Sequence, residues 1–241
     1  MPIVRAADLD HRSLKQPALA DPLWRYMDFT KFIAMLVAGK LYLSRLDQLG
    51  DDYEGWVPQP PKNHYRGFFK ETDAIRDREL KERSSNEKCR YYVSCWHAND
   101  EESDAMWKVY VKGNEGIALR TTCRNLRASL EVTPEELWLH NVEYDYSEKE
   151  PTHGGSMLRA CMTKRKPFRH EQEVRVVWHR GEGLELPPGF YVDCKLETLI
   201  EQVYVAPAAK DWFVSLVEKV LEKYGIRKEV VQKSGLSSKP L

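Results

Sequence analysis

The sequence predicts an α+β fold, a mixed and largely antiparallel curved sheet flanked by helices, and three observations predict it. Segments of strand period and helical period alternate irregularly, with short connections. No strand-to-helix turn carries Gly-x-Gly-x-x-Gly or a phosphate-cradling Gly-x-x-x-x-Gly-Lys-Ser/Thr, which argues against a doubly wound nucleotide fold. At 241 residues and 42% apolar content, the chain has material for one core.

Residues 23–27 read as a short strand. A helix over 29–38 follows, with Phe29, Phe32, Ile33, Leu36 and Val37 at helical spacing, Asp28 or Thr30 to cap it and Gly39 to stop it. A strand over 40–44 leads to an acidic turn with Asp47, Asp51, Asp52 and Glu54. Pro58, Pro60 and Pro61 then break regular structure, and 65–83 reads as a charged helical insertion. Strands are expected at 90–96, 116–121, 138–146, 171–178, 190–192 and 201–205. Helices are expected at 101–110, 124–130 and 211–224, with an irregular to helical stretch at 153–164. The last of the three helices carries Trp212, Phe213, Leu216, Val217, Val220 and Leu221 on its expected core face. Residues 1–20 read as a flexible arm, 21–232 as one domain and 233–241 as a flexible tail.

Lys plus Arg and Asp plus Glu are 37 each, a balance that argues against a dedicated duplex-DNA binder but leaves room for a local basic groove. No apolar run approaches the roughly 20 residues of a membrane span, and the first ten residues show no secretory pattern, so a cytoplasmic location is expected. The five cysteines are scattered and odd in number, which fits reduced thiols. Cys95 and His97 share a strand face, but no second ligand pair at zinc spacing accompanies them.

The most informative stretch is His170-Glu171-Gln172-Glu173-Val174-Arg175-Val176-Val177-Trp178. In a strand Glu171 and Glu173 point the same way, with Arg175 on their face. Two carboxylates side by side repel, so the pattern reads either as a self-compensated charge ladder or as an acidic catalytic pair beside the basic run Lys164, Arg165 and Lys166.

Several segments resemble an uncharacterised bacterial family, domain of unknown function 2971. They are Leu23-Trp24-Arg25-Tyr26-Met27, Gly39-Lys40-Leu41-Tyr42-Leu43-Ser44, Gly50-Asp51-Asp52-Tyr53-Glu54-Gly55, Val93-Ser94-Cys95-Trp96-His97, Asp104-Ala105-Met106-Trp107-Lys108 and Phe168-Arg169-His170-Glu171-Gln172-Glu173-Val174-Arg175. A more distant resemblance, in the order of parts, is to ADP-ribosyltransferase-like folds. Arg25 matches the Arg or His of their first strand, Ser94 the hydroxyl of the middle strand, and Glu171 with Glu173 the late Glu-x-Glu. The Ser-Thr-Ser run of one branch is Val93-Ser94-Cys95 here.

That second resemblance implies an NAD-dependent transferase of bacterial defence or toxin type. NAD would be its substrate, a protein or nucleic acid the acceptor, and no metal would be required. Catalysis would fall to Glu173, Glu171, Arg25 and Ser94, and nucleotide binding to Arg25, Tyr26, Trp96 and Tyr92. Two other readings stand beside it. One is a non-catalytic interaction module. The other is a metal-dependent nuclease drawing on Asp47, Asp51, Glu54, Asp104, Glu171 and Glu173. The bland reading of Arg25 is a salt bridge to Asp47 or Glu54.

Overall fold

The structure is a computed structural model that describes residues 14–55, 86–146 and 157–237. The insertion expected at 65–83 and most of the expected N-terminal arm lie outside the described residues.

Strand β1 (Pro22–Asp28) runs straight into helix α1 (Phe29–Ala38), and β2 (Lys40–Arg45) follows after Gly39. Gly39 takes the left-handed conformation, φ 63°, that ends a helix at little cost in a residue without Cβ. Asp28 stands at the N-cap position without capping; its carboxylate accepts from the backbone N–H of Lys112. Strand β3 (Tyr91–Ala98) leads to the short helix α2 (Asp104–Tyr110), whose first turn is capped by Ser103. Strand β4 (Gly116–Thr122) and helix α3 (Cys123–Ser129) complete the first half.

The second half opens with β5 (Leu137–Asn141) and β6 (Glu143–Tyr146). These were expected as one strand. The chain instead changes sheets at Val142, because the Val142 N–H donates to Glu173 O and the Glu143 N–H to Met162 O, both at 2.8 Å. Helix α4 (Met157–Cys161) and β7 (Thr163–Arg165) precede β8 (Glu173–His179). Then come β9 (Gly189–Asp193), α5 (Leu196–Leu199), β10 (Gln202–Val205), α6 (Asp211–Lys223) and β11 (Val231–Lys233).

Among the described residues nine strands form one sheet, antiparallel except for the parallel pair β10–β11; β6 and β7 make a small second sheet. The fold is therefore mixed α+β with a mostly antiparallel sheet, as the sequence predicts. Its central feature is β3. One edge of β3 pairs with β8 along its length, Tyr91 to His97. The other edge is divided: β1 takes His97 and Ala98, and β2 takes Tyr92 and Val93. Ser94, Cys95 and Trp96 therefore have no strand partner on that edge among the described residues, and the sheet splits there.

One face of the sheet carries the main core. Leu23, Leu41, Leu43, Tyr92, Trp96, Val174 and Val176 pack there against α1 and α6. On the opposite face β8 presents Glu173, Arg175 and Val177, because side chains alternate. Of the expected tail, 233–237 are described. Ser234 is buried and donates to Glu102, while β11 pairs with β10.

In α6, Phe213, Val217 and Leu221 are buried at i, i+4 and i+8. Trp212, expected on the same face, is 54% exposed, since one residue off that line turns a side chain about 100° away. Phe213→Ala should cost about 3–5 kcal/mol, the range for emptying a core aromatic site. Trp212→Ala should stay within about 1 kcal/mol. Urea denaturation of the two variants checks the helix face.

Candidate functional site

On the far face of the split sheet, five charged side chains meet out of water. Strand β7 is too short to read from sequence, yet it delivers Lys164 to the centre of the cluster. The Lys164 ammonium donates to Glu171, to Glu173 Oε1 at 2.8 Å, and lies 3.2 Å from Glu54 Oε1. The Arg175 guanidinium donates through Nε to Glu173 Oε2 at 2.6 Å and grips both Glu54 oxygens, at 2.8 and 2.9 Å. It also donates to the Cys161 carbonyl at 2.7 Å. All five side chains are buried.

Glu171 and Glu173 converge by a route other than a shared strand. Residues Lys166–Glu171 form a 3-10 turn begun by Pro167, Gln172 takes a left-handed φ of 41°, and β8 starts only at Glu173. The expected strand over 171–178 thus begins two residues late. The turn nonetheless returns Glu171 to Lys164, whose one ammonium donates to both carboxyl groups.

The two carboxyls are driven apart in acidity. Burial first, then the Glu173 carboxylate, push Glu171 up to about 7. Burial would also raise Glu173, but Arg175 beside it, the hydrogen bond from Glu171 and the Lys164 ammonium overcome that and hold it well below the usual carboxylate range. Tyr144 fixes the strand start, its hydroxyl accepting the Glu173 N–H at 2.7 Å. His97 lies opposite Glu173 in the β3–β8 register. Its Nδ1–H donates to the Glu171 carbonyl at 2.7 Å, since a carbonyl can only accept, and burial depresses its basicity.

A cavity of about 870 Å³ opens over this cluster. Glu171, Glu173, Arg175, Lys164 and His97 line it from the far face; Arg25, Trp96 and Met35 line it from the core side of the split. Residues of both faces share one hollow because the ladder is open opposite Ser94–Trp96. Arg25 spans that opening. Its guanidinium donates to Ser94 Oγ at 2.7 Å and to the Tyr42 carbonyl at 3.2 Å, with its Cζ 5.6 Å from the Trp96 ring centre. Burial lowers its pKa, and no carboxylate among the described residues pairs with it. Asp47 is held by Arg45, and Glu54 by Arg175 and Lys164, so neither acid supplies the salt bridge of the bland reading.

The remaining sequence candidates are placed as follows. Ser94 is buried beneath Arg25, opposite Val176, on the sheet face away from Glu173. Tyr26 lines the cavity, and its hydroxyl accepts the Ser103 N–H at 2.8 Å. Tyr92 is turned into the core, donating to the Pro187 carbonyl and packed against Trp178. The basic run divides: Lys164 is buried, Arg165 pairs with Asp51, and Lys166 is exposed. Three carboxylates do meet at one point, as a nuclease needs, but an ammonium occupies it. Asp104 lies apart, paired with Lys108 on the surface. Sequence reasoning missed that Glu54 and Lys164 complete the cluster and that His97 lines the cavity. The clue available was Arg175, on the face of Glu173 and in need of a second acid.

No protein-family model matches the chain, so its resemblance to domain of unknown function 2971 rests on the motifs alone. No curated protein matches it. Among solved structures, Thermus sp. 2.9 DarT in complex with carba-NAD+ aligns over 90% of this chain and 100% of its own, at 12% identity and a TM-score of 0.40. The same protein in complex with NAD+ gives 13% identity and 0.40 over the same shares. Its complex with ADP-ribosylated ssDNA gives 12% and 0.39, over 91% of this chain and 100% of the other. Likeness at that level leaves the chemistry to be argued from the residues themselves.

Removing one partner from the buried cluster should be severe. Arg175→Met leaves Glu54 and Glu173 short of a cation and should cost about 3–5 kcal/mol. The acidity of the pair sets a pH dependence. Glu171 is raised on folding, so its contribution is complete below the unfolded carboxylate range and is lost as pH rises through about 7. Glu173 is lowered, so its contribution is present above that range and is lost only on acidification. Thermal melts from about pH 5 to about pH 8 should therefore show falling stability, and Glu171→Gln, which cannot ionise, should flatten the trend.

Proposed function

We propose that the cavity binds NAD+ and that the protein is an ADP-ribosyltransferase-like enzyme. The observation that carries this reading is the polarity of one hollow: at one side a desolvated guanidinium without a counter-anion among the described residues, at the other a surplus of buried carboxylate among the same residues. NAD+ has the matching polarity, a pyrophosphate anion and a cationic pyridinium ring. A cavity of about 870 Å³ is of the size that holds a dinucleotide-sized ligand.

In this reading Arg25 takes the pyrophosphate through its planar fork, preset by Ser94 and the Tyr42 carbonyl. The rings of Trp96 and Tyr26 flank the ligand. Glu173, ionised at any ordinary pH, faces the ribose and stabilises the positive charge that grows as the bond to nicotinamide breaks. Nicotinamide leaves with the bonding electrons, and an acceptor nucleophile adds to the ribose carbon. Glu171 takes the nucleophile's proton as general base. The acceptor class is a protein or a nucleic acid.

A second reading, a binding module without catalysis, is favoured by one observation. Both Glu173 oxygens are already engaged, one by Lys164 and one by Arg175.

Nicotinamide release from NAD+ separates the two. The enzyme reading expects release by the wild type, with the rate rising as pH passes about 7 and Glu171 ionises. Glu173→Gln, folded by circular dichroism, should lose about 10²–10³-fold in kcat. Arg25→Ala should raise the NAD+ KM by about 10–100-fold, the worth of hydrogen bonds to a charged group. NAD+ bound but left intact supports the module; NAD+ neither bound nor cleaved defeats the enzyme reading.

A further inference from the structure

Among the described residues the charge count of the buried cluster is unbalanced. Glu54, Glu171 and Glu173 supply three negative charges when ionised, and Lys164 and Arg175 supply two positive ones. One net negative charge buried beside a cavity is unfavourable unless something positive joins it. Below about pH 7 a proton on Glu171 fills that role: Glu171 and Glu173 are held side by side on the one Lys164 ammonium, and burial together with the Glu173 carboxylate raises Glu171 to about 7.

Among the described residues, none of the other titratable groups near Glu171 supplies a further positive charge. Lys164 from β7 is shared among three acids, and Arg175 is spent on Glu173, Glu54 and a carbonyl. Tyr110 from α2 and Tyr144 from β6 are neutral phenols raised by burial and by these carboxylates. His97 from β3 spends its Nδ1–H on the Glu171 carbonyl and is kept neutral by burial. The arrangement also points to a ligand by a second route. His97 Nε2 and Trp96 Nε1 have no partner among the described residues, although both rings are more than nine-tenths buried and line the cavity.

We propose that the cavity selects the cationic, oxidised form of its ligand by exchange: a positively charged ring settles over the Glu171–Glu173 pair and the proton on Glu171 leaves to solvent. The inference rests on the NAD+ reading and adds to it a rule of specificity. NAD+ has the ring charge that replaces the proton. NADH, of the same shape but with a neutral ring, cannot replace it and binds without releasing one. ADP-ribose, which keeps the pyrophosphate and lacks the ring, leaves the pair untouched. Glu171 is thus a specificity-determining residue acting through its proton, and Lys164 and Arg175 fix the charge count against which it works.

The exchange predicts a linkage. Below the pH at which Glu171 titrates, affinity for the cationic ligand should rise with pH, by up to about tenfold per pH unit, and level off above about 7. Affinity for ADP-ribose should not change over the same interval.

Isothermal titration at about pH 6.5, in two buffers of different ionisation enthalpy, reads the proton directly. The ligands are carbocyclic NAD+, which cannot be cleaved, NADH and ADP-ribose. Carbocyclic NAD+ is expected to release roughly half a proton or more, and the other two none. Glu171→Gln is expected to bind carbocyclic NAD+ with no proton release and with its preference over NADH reduced. Carbocyclic NAD+ binding without proton release, or NADH releasing as much, overturns the exchange while leaving the NAD+ reading in place. Binding of none of the three removes the NAD+ reading and the exchange together.

Discussion

Everything on the far face of the sheet is organised by the contact between Arg175 and its two acids. Arg175 is fully buried on a central strand, and a guanidinium cannot shed its charge at any pH a protein meets. Burial therefore compels the surroundings to supply anions, and they come from distant parts of the chain. Glu54 is brought from the turn after β2, 121 residues away in sequence, and Glu173 from two positions along the same strand. Once two carboxylates are committed to one guanidinium, a second cation is needed, and β7 provides Lys164. Such clusters contribute less to stability than a well-packed apolar core of the same size. What this one achieves is register. It fixes the 50–55 turn, β7 and β8 against one another and leaves Glu171 and Glu173 facing the cavity with opposite acidities.

The split in the sheet supplies the other half of the site. A continuous ladder along β3 would cover Ser94–Trp96 and leave no path between the faces. Because β1 and β2 each take only one end of that edge, the middle is open. A buried unpaired backbone edge is costly unless polar groups answer it. Arg25 occupies the opening, tied to the Ser94 hydroxyl on β3 and the Tyr42 carbonyl on β2. Its neighbours hold it in place without neutralising it, which is the requirement for an anion site that is ready before the anion arrives. Ser94 earns its position in this way, as a strut under Arg25 and not as a group reaching the cavity.

Most of the fold was legible because its signals are local. The 29–38 helix, its glycine stop and the strands at β1, β2, β3 and β4 follow from period and punctuation within ten residues. The site was legible where a strand's own alternation sufficed, as for Glu173 and Arg175. It was not legible where the decisive fact was the crossing of distant segments. Glu54 sits in a turn rich in acids, and nothing in that turn distinguishes the buried one from Asp52, which is exposed. Lys164 reads as one of three surface cations until β7 is seen to carry it inward. The 3-10 turn before Glu173 was hidden because Pro167 and a left-handed Gln172 can be read as loop as readily as turn. Trp212 misled for the opposite reason: a large apolar residue next to a helical stripe invites inclusion in it.

The two halves are coupled by charge rather than by contact. Among the described residues no carboxylate pairs with Arg25, and the carboxylate cluster sets three acids against two cations. Each is stable alone only at a cost in desolvation, and on the proposed reading a single zwitterionic ligand would relieve both. The same event would change the chemistry available. With the proton present, Glu171 is an acid and cannot accept another. With a pyridinium in its place, Glu171 would be a base beside the reacting ribose, before the acceptor arrives. Ligand charge would then switch the catalytic group into its working form, and a neutral ligand of the same shape would occupy the cavity without arming it. In that scheme Lys164 and Arg175 need not touch the substrate at all: by fixing the local charge at one short of balance, they make the substrate's own charge the condition for the reaction.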